Sequence, residues 1–512
     1  MPEVVADLHR RREKARELGG ADAVARQHAA GKMTCRERLD LLLDPESFEE
    51  IGIQAQAQPH PDLAGKETPA DGVVTGFGKV DGRTVAVAAY DFTVIAGTIG
   101  MVSERKVNRM RELALRHRVP MIWLLDSAGA RVQEIASSEF AGTGKLFFDQ
   151  VMLSGVVPQV AAVMGPCAAG TAYIPALADV VFMVKGTGSM ALAGPPLVKA
   201  VTGEDTTAEE LGGSKVHCEL SGCGDLEAAD DPACLAAIRA YLSYLPSACG
   251  ESLPELPAEA PAGDPEELLR VVPTDPRRPY DMRKVLRLIV DEGSLFELKP
   301  KFGATIITAF ARLAGRPVGL VASQPSVMAG ILNNDSADKA ARFITLCDAY
   351  GVPLVFFQDV PGFMVGTKVE QGGIIRHGAK MLYAVSMATV PKVTVVVRKA
   401  YGAGYYVMCG SGYNPDRIVA WPGAEISLMG PEGAANIVFR KQMEAAADPA
   451  AERGARVEQF RSLINPYIAA GNALIDDVID PRETRAVLIR ALLDAAGKRV
   501  DLPPRKHGIF PV

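Results

Sequence analysis

The chain has 512 residues, 48% of them apolar and 23% charged, with a formal net charge of −6. Single hydrophobic cores stop growing near about 250 residues, so this length predicts two domains. The acidic balance excludes a nucleic-acid binder that works through a basic surface excess, although a local basic patch for one phosphorylated ligand stays open. No apolar run approaches the roughly 20 residues of a membrane span, so no span is expected. The first residues are arginine-rich, but Glu3, Asp7, Glu13 and Glu17 argue against a transit peptide, and no apolar signal core is present. The eight cysteines are scattered. The nearest group, His217, Cys218, Cys223 and Cys234, lacks CxxC pairs and reads as free thiols rather than a zinc site. Free thiols fit a reducing compartment, and the chain is expected to be cytoplasmic.

In chain order, residues 3–43 read as helices broken at Gly19-Gly20 and Gly31, a polar outlying hairpin suited to an oligomer or lid contact. Two apolar runs around Asp81-Gly82 predict a β-hairpin. Helical spacing follows over 103–116, with Val107, Met110, Leu113 and Ala114 on one face. A buried strand then leads into Asp126-Ser127-Ala128-Gly129. The run from Val160 to Met164 predicts a second buried strand, closed by Gly165-Pro166. After it, Cys167-Ala168-Ala169-Gly170 leaves backbone N–H groups uncovered by bulky side chains. Seven prolines (Pro254, Pro257, Pro261, Pro265, Pro273, Pro276 and Pro279) mark an inter-domain linker. The expected boundaries are 1–255, a linker over 256–279, and 280–512.

Beyond the linker the first half returns. A shift of 233 maps Thr75 to Thr308, Gly82-Arg83 to Gly315-Arg316, Ala96-Gly97 to Ala329-Gly330, Lys106 to Lys339, Asp126 to Asp359 and Gly129 to Gly362. This is duplication of a whole domain, not a solenoid of short repeats. A second bare stretch, Tyr401-Gly402-Ala403-Gly404, follows a second buried strand, and Gly404 aligns with Gly170 at a shift of 234.

Conventional catalytic equipment is scarce. No G-x-S-x-G is present, Gly142-Thr143-Gly144-Lys145 lacks the other residues of a phosphate loop, and Gly76-Phe77-Gly78 fails the dinucleotide spacing. Two convergent N–H donors in a dry site can stabilise an oxyanion or enolate, each contributing about 10²–10³ in rate. Small residues also permit close strand–helix packing with no catalytic role, but a turn kept in both copies favours the functional reading.

Several stretches together resemble one family. They are Asp126 to Glu134, Met164 to Gly170, Glu209 to Gly213, Asp359 to Phe363, Gly372 to Lys380, Ala420 to Ile426, and Lys506-His507-Gly508. The chain resembles the carboxyltransferase (β) subunits of biotin-dependent acyl-CoA carboxylases over nearly its whole length. The resemblance implies an α/β fold of two duplicated crotonase-like (ββα superhelix) domains, acyl-CoA on the first and biotin on the second. It implies that Ala169 and Gly170 hold the thioester oxygen of acyl-CoA, and that Ala403 and Gly404 hold the ureido oxygen of carboxybiotin. Ser127, Ala128, Gly129, Ala130, Arg131, Cys167, Ala168 and Tyr406 are then the substrate side. Val360, Pro361, Gly362, Phe363 and Gly402 are the biotin side, and no metal is expected. The implied reaction carries the carboxyl group to the α-carbon of an acyl-CoA, short-chain such as propionyl-CoA, giving methylmalonyl-CoA.

No Met-Lys-Met biotinylation motif is present, so biotin carboxylase and biotin carrier are expected as a separate subunit. The family assembles as a homohexamer, a trimer of dimers, with the site between halves of different subunits. Tyr406 stands where propionyl-type relatives often carry Asp, which leaves the acyl group open. Two other readings remain: the same half-reaction run backwards in a biotin-dependent decarboxylase, and an inactive acyl-CoA-binding scaffold.

Overall fold

The short strand Glu49–Ile51 (β1) leads into the hairpin predicted at Asp81-Gly82, where Val73–Val80 (β2) pairs antiparallel with Arg83–Tyr90 (β3). Asp81 and Gly82 both take positive φ, 50° and 77°, the two-residue turn whose twist matches a hairpin. These strands belong to a computed structural model that describes residues 1–511. Beyond the hairpin the sheet is parallel: Met121–Ser127 (β4), Gln159–Ala168 (β5), Val180–Val184 (β6), Ser189–Ala191 (β7) and Leu226–Ala228 (β8). The order is β1-β2-β3-β4-β5-β6-β8, with β7 on the far end of β5.

The second half repeats this topology strand for strand. Phe296–Leu298 (β9), Ile306–Leu313 (β10) and Arg316–Ser323 (β11) are antiparallel neighbours. Leu354–Val360 (β12), Lys392–Tyr401 (β13), Arg417–Ala420 (β14), Glu425–Ser427 (β15) and Asp477–Val478 (β16) continue in parallel, with β15 on β13. The chain divides into two units, Met1–Ser252 and Leu253–Val512.

Each sheet is covered by helices because its central strands are apolar on both faces. β4 and β12 are buried along their whole length. In the first unit the helix Met101–His117 lays Val107, Met110 and Ala114 against Trp123 and Val163, the face read from its spacing. The second unit is covered in the same place by Asn334–Ala349.

Two expectations change. The N-terminal helices Pro2–Arg16, Ala21–Ala29 and Cys35–Leu42 do not form an outlying hairpin. Gln27, Lys32 and Arg38 are buried and reach the core at Asp126. A polar pattern looked peripheral because its partner, a buried carboxylate, lies about a hundred residues away. The proline-rich stretch is also not a free spacer. Leu256 N–H donates to Gly315 O (3.1 Å), Leu268 is buried, and the carbonyls of Pro273, Asp275 and Arg278 all accept from Arg398.

Each half also buries a lysine at the same register, Lys106 and Lys339, that ties down its chain. Lys106 Nζ donates to Ala70 O (2.7 Å) and Val73 O (2.6 Å), and Lys339 Nζ to the carbonyls of Lys299, Phe302 and Ile306. Burial lowers the Lys106 ammonium from 10.5 to about 8. Below pH 8 the folded and unfolded chains both carry this proton; between about 8 and 10.5 only the unfolded chain does. Unfolding takes up a proton in that window, so this lysine makes stability rise with pH across it. Denaturant unfolding of wild type and Lys106→Met should therefore differ by an amount that grows from pH 8 to 10.5. A pH-independent difference would show that the lysine stays charged throughout.

Candidate active site

The site of the first half grows from three segments stitched together by backbone. β4 ends in an irregularity between Leu125 and Ser127, which turns Asp126 inward and starts the loop 127–131. That loop exchanges hydrogen bonds with 95–99: Ala128 N–H to Ala96 O (3.0 Å), Ile99 N–H to Gly129 O (2.8 Å) and Arg131 N–H to Ile99 O (2.8 Å). The third segment is the turn after β5. Gly129, at φ +104°, packs so closely that a Cβ there would lie 2.8 Å from Ala168 O. The second half repeats the stitching, with Leu332 N–H to Gly362 O (3.0 Å) and Met364 N–H to Leu332 O (2.8 Å).

Strain sits in these segments. Ile95 and Ala96 take φ of 47° and 50°, and Met328 and Ala329 take 46° and 57°. Non-glycine residues pay roughly 1–3 kcal/mol for such conformations, which persist where the surroundings over-determine them and concentrate at functional sites. The duplication of Ala96-Gly97 was visible in the sequence; its backbone strain was not.

The residue just past β5, Ala169, is also left-handed, at φ 55°. Its counterpart past β13 is Gly402, at 57°. The shift of 233 therefore runs unbroken through both strands and into both turns, and the extra residues of the second half lie after the turn. Structurally, Gly170 corresponds to Ala403 and the buried Thr171 to the buried Gly404. The one-residue offset inferred from matching glycine to glycine is corrected by the strand register. Ala169 and Gly170 open a 3₁₀ turn, so their N–H groups have no acceptor within it.

Ala169, Gly170 and Ala130 line one cavity of about 510 Å³, together with Ile99, Glu104 and Phe147. A Cβ on Gly170 would touch only Phe147 Cζ, at 3.8 Å, so this glycine faces open space. Gly404 is different: a Cβ there would lie 2.8 Å from Val360 Cγ2 and 3.1 Å from the Cα of Gly362. It brings the expected biotin-side residues Val360 and Gly362 against the turn. Pro361 and Phe363 continue this loop, and the Phe363 ring packs at Gly378. Tyr406 is half exposed and stacks on Tyr413.

Several other expected substrate residues are tied into the fold. Arg131 is fully buried, paired with Asp71 (2.6 Å) and Glu134 (2.8 Å), and donates to Thr98 O (3.0 Å). Its guanidinium, fully buried, holds the 71, 98 and 134 segments together. Ser127 is buried and accepts from Gly129 N–H, and Ala128 is exposed. Cys167 is buried, its thiol pushed up to about 12 by burial, and donates to Thr171 O (3.1 Å). Ala168 O accepts from Thr171 Oγ1.

The two inward aspartates are paired differently. Asp126 accepts from Lys32 Nζ (2.9 Å), Arg38 Nη1 (3.0 Å) and Gln27 Nε2 (2.8 Å), and Gly165 on β5 leaves room that a Cβ would take. In the second half the residue at that place is Arg398, which itself donates to Asp359 (2.9 Å). One copy draws its cations from the N-terminal segment, the other from the neighbouring strand.

Residues 26–510 match the family described as Carboxyl transferase domain. The chain belongs to the carboxyl transferase family. This carboxyl transferase is 47% identical over 511 residues to the methylmalonyl-CoA carboxyltransferase 12S subunit of Propionibacterium freudenreichii subsp. shermanii, covering 99% of this chain and 97% of that one. It is 46% identical over 519 residues to the propionyl-CoA carboxylase carboxyltransferase subunit of Haloferax mediterranei, covering 100% of both. It is 45% identical over 510 residues to methylmalonyl-CoA decarboxylase subunit alpha of Veillonella parvula, covering 99% and 98%. The crystal structure of transcarboxylase 12S, a hexamer assembly with methylmalonyl-coenzyme A and methylmalonic acid bound, matches with TM-score 0.95 and 46% identity, covering 100% and 98%. The carboxyl transferase is thus an α/β enzyme of two duplicated crotonase-like domains.

Proposed function

We propose that this carboxyl transferase moves a carboxyl group from carboxybiotin, held on a separate carrier subunit, to the α-carbon of a short acyl-CoA, with propionyl-CoA giving methylmalonyl-CoA. The observation that carries the reading is the Ala169–Gly170 turn. It opens two N–H donors from a buried strand beside a largely apolar cavity, where such donors act on developing negative charge with little competition from water. Carboxybiotin supplies the carboxyl group and, once that has left, the base for the α-proton. The chain's own share is to hold the thioester oxygen as it gains charge. The second turn, from Gly402 through Ala403 and Gly404, fits the ureido oxygen by the same logic. It too follows a buried strand, and its middle residue, Ala403, is exposed.

We place the enzyme in the cytoplasm, working with a biotin carboxylase and biotin carrier subunit, as a homohexamer like the 12S relative. None of the eight cysteines forms a disulfide among the described residues, which fits a reducing compartment.

Identity to the decarboxylase subunit favours one second reading, the same half-reaction run in reverse within a membrane complex. Among the described residues no helix is long and apolar enough to cross a membrane, so that reading requires an integral membrane partner, which co-purification would reveal. The primary test mixes the pure chain with carboxylated biotin carrier and acyl-CoAs of increasing chain length. Labelled carboxyl is expected to appear on propionyl-CoA; no labelled product from any acyl-CoA would defeat the proposal.

A further inference from the structure

The helix Met101–His117 and its duplicate Asn334–Ala349 occupy the same place in the two halves, yet they differ at one inward layer, half-buried to buried in the first half. In the first half this layer carries Glu104, Asn108 and Arg111; at the same register the second half carries Ala337, Ala341 and Ile344, all buried. The strand beneath differs in the same sense, with Trp123 in the first half and Phe356 in the second. The fold therefore forms around an apolar version of this layer, and the polar version belongs to the half whose cavity is lined by Ala169 and Gly170.

Arg111 is fully buried, lies over the Trp123 ring at 5.2 Å, and donates to Glu104 Oε1 (2.7 Å). Glu104 and Asn108 both line the cavity that Ala169 and Gly170 line. Buried atoms of the group lack hydrogen-bond partners: Glu104 Oε2, Asn108 Oδ1, and Nε and Nη2 of Arg111. Such unsatisfied groups cost stability, and an apolar layer would avoid the cost. A feature that the duplicate half folds without, kept at the wall of the cavity, points to a role in selection.

We propose that Glu104 and Asn108, anchored from behind by Arg111, form a polar wall that limits the acyl cavity to short chains. Glu104 keeps a quarter of its side chain accessible, and an alkyl chain pressed over it displaces water from beside a carboxylate and gives no hydrogen bond in return. A short acyl group leaves that hydration in place. The proposal rests on the reading that this cavity takes the acyl group. Glu104 and Asn108 are specificity residues here; neither is assigned a proton transfer.

The test transplants the duplicate's residues as Glu104→Ala/Asn108→Ala/Arg111→Ile, which removes both members of the ion pair and leaves no orphan charge. Circular dichroism and sedimentation check that the variant folds and assembles. Asn108→Leu is made alongside, because it keeps the Glu104–Arg111 pair and decides the matter if the triple variant does not fold. Affinity for propionyl-CoA and octanoyl-CoA is read by calorimetry, and kcat/KM for both by carboxyl transfer. The octanoyl-to-propionyl ratio is expected to rise at least about tenfold in the triple variant, the scale on which apolar pockets discriminate single methylenes, and in the same direction in Asn108→Leu. An unchanged ratio in a folded variant, with wild type active on propionyl-CoA, overturns the polar wall alone. Wild type that neither binds nor carboxylates any acyl-CoA overturns the functional reading, and the wall with it.

Discussion

Gly170→Leu should lower the rate of carboxyl transfer by at least about 10²-fold, the cost typical of displacing a reacting group by about an ångström, while the protein folds as before. The new side chain enters the cavity, where only Phe147 stands near the first added atom, and it takes the space beside the N–H donors. Backbone strain is not introduced, because Gly170 is absent from the positive-φ positions. The same substitution at Gly404 has another meaning. Its Cβ would press on Val360 and Gly362, so a loss of activity there reports packing and says little about the N–H group. Steady-state transfer together with a thermal melt separates the two: Gly170→Leu should melt like wild type and Gly404→Leu well below it. Equal activity of Gly170→Leu and wild type would show that the cavity does not hold the acyl group.

The second large effect concerns stability. Asp126→Ala leaves Lys32 without a carboxylate and Arg38 with Asp231 alone, all within the buried core. Breaking a buried ion pair from one side typically costs about 3–5 kcal/mol, because the remaining charge stays desolvated. For a unit of this size that corresponds to a fall in Tm on the order of 10 °C. The first unit should melt at the lower temperature and the N-terminal helices should become protease-sensitive, since their buried anchor is gone. A shift of less than a degree would mean that the N-terminal segment is held by its apolar contacts alone.

The duplication, the hairpin at Asp81-Gly82 and the helical face of Val107 and Met110 were legible in the sequence because each depends on local spacing. The Ala169–Gly170 turn was legible for the same reason, as small residues after a buried run. Four features were not. The partners of Asp126 are remote in sequence, so nothing local marks Lys32 and Arg38 as core residues. The cation of the second copy stands at Arg398, where the first copy has Gly165, and a comparison of the two halves could have shown that exchange. Arg131 falls on the substrate side with the motif it belongs to, and its burial beside Asp71 and Glu134, the first remote and the second unmarked in the sequence, shows it to be a tie as well. Glu104 and Asn108 lie off the apolar face read from the helical spacing, and they line a cavity only together with Phe147 and Gly170, which are remote in sequence.

The central claim is that the two turns hold two different ligands. It is tested most directly by measuring the affinity of propionyl-CoA and of biocytin for wild type, Gly170→Leu and Ala403→Leu. Ala403 is exposed, so its added side chain meets ligand rather than core. The account predicts that Gly170→Leu loses propionyl-CoA and keeps biocytin, and that Ala403→Leu does the reverse. Loss of both ligands in either variant, or of neither in both, would contradict it.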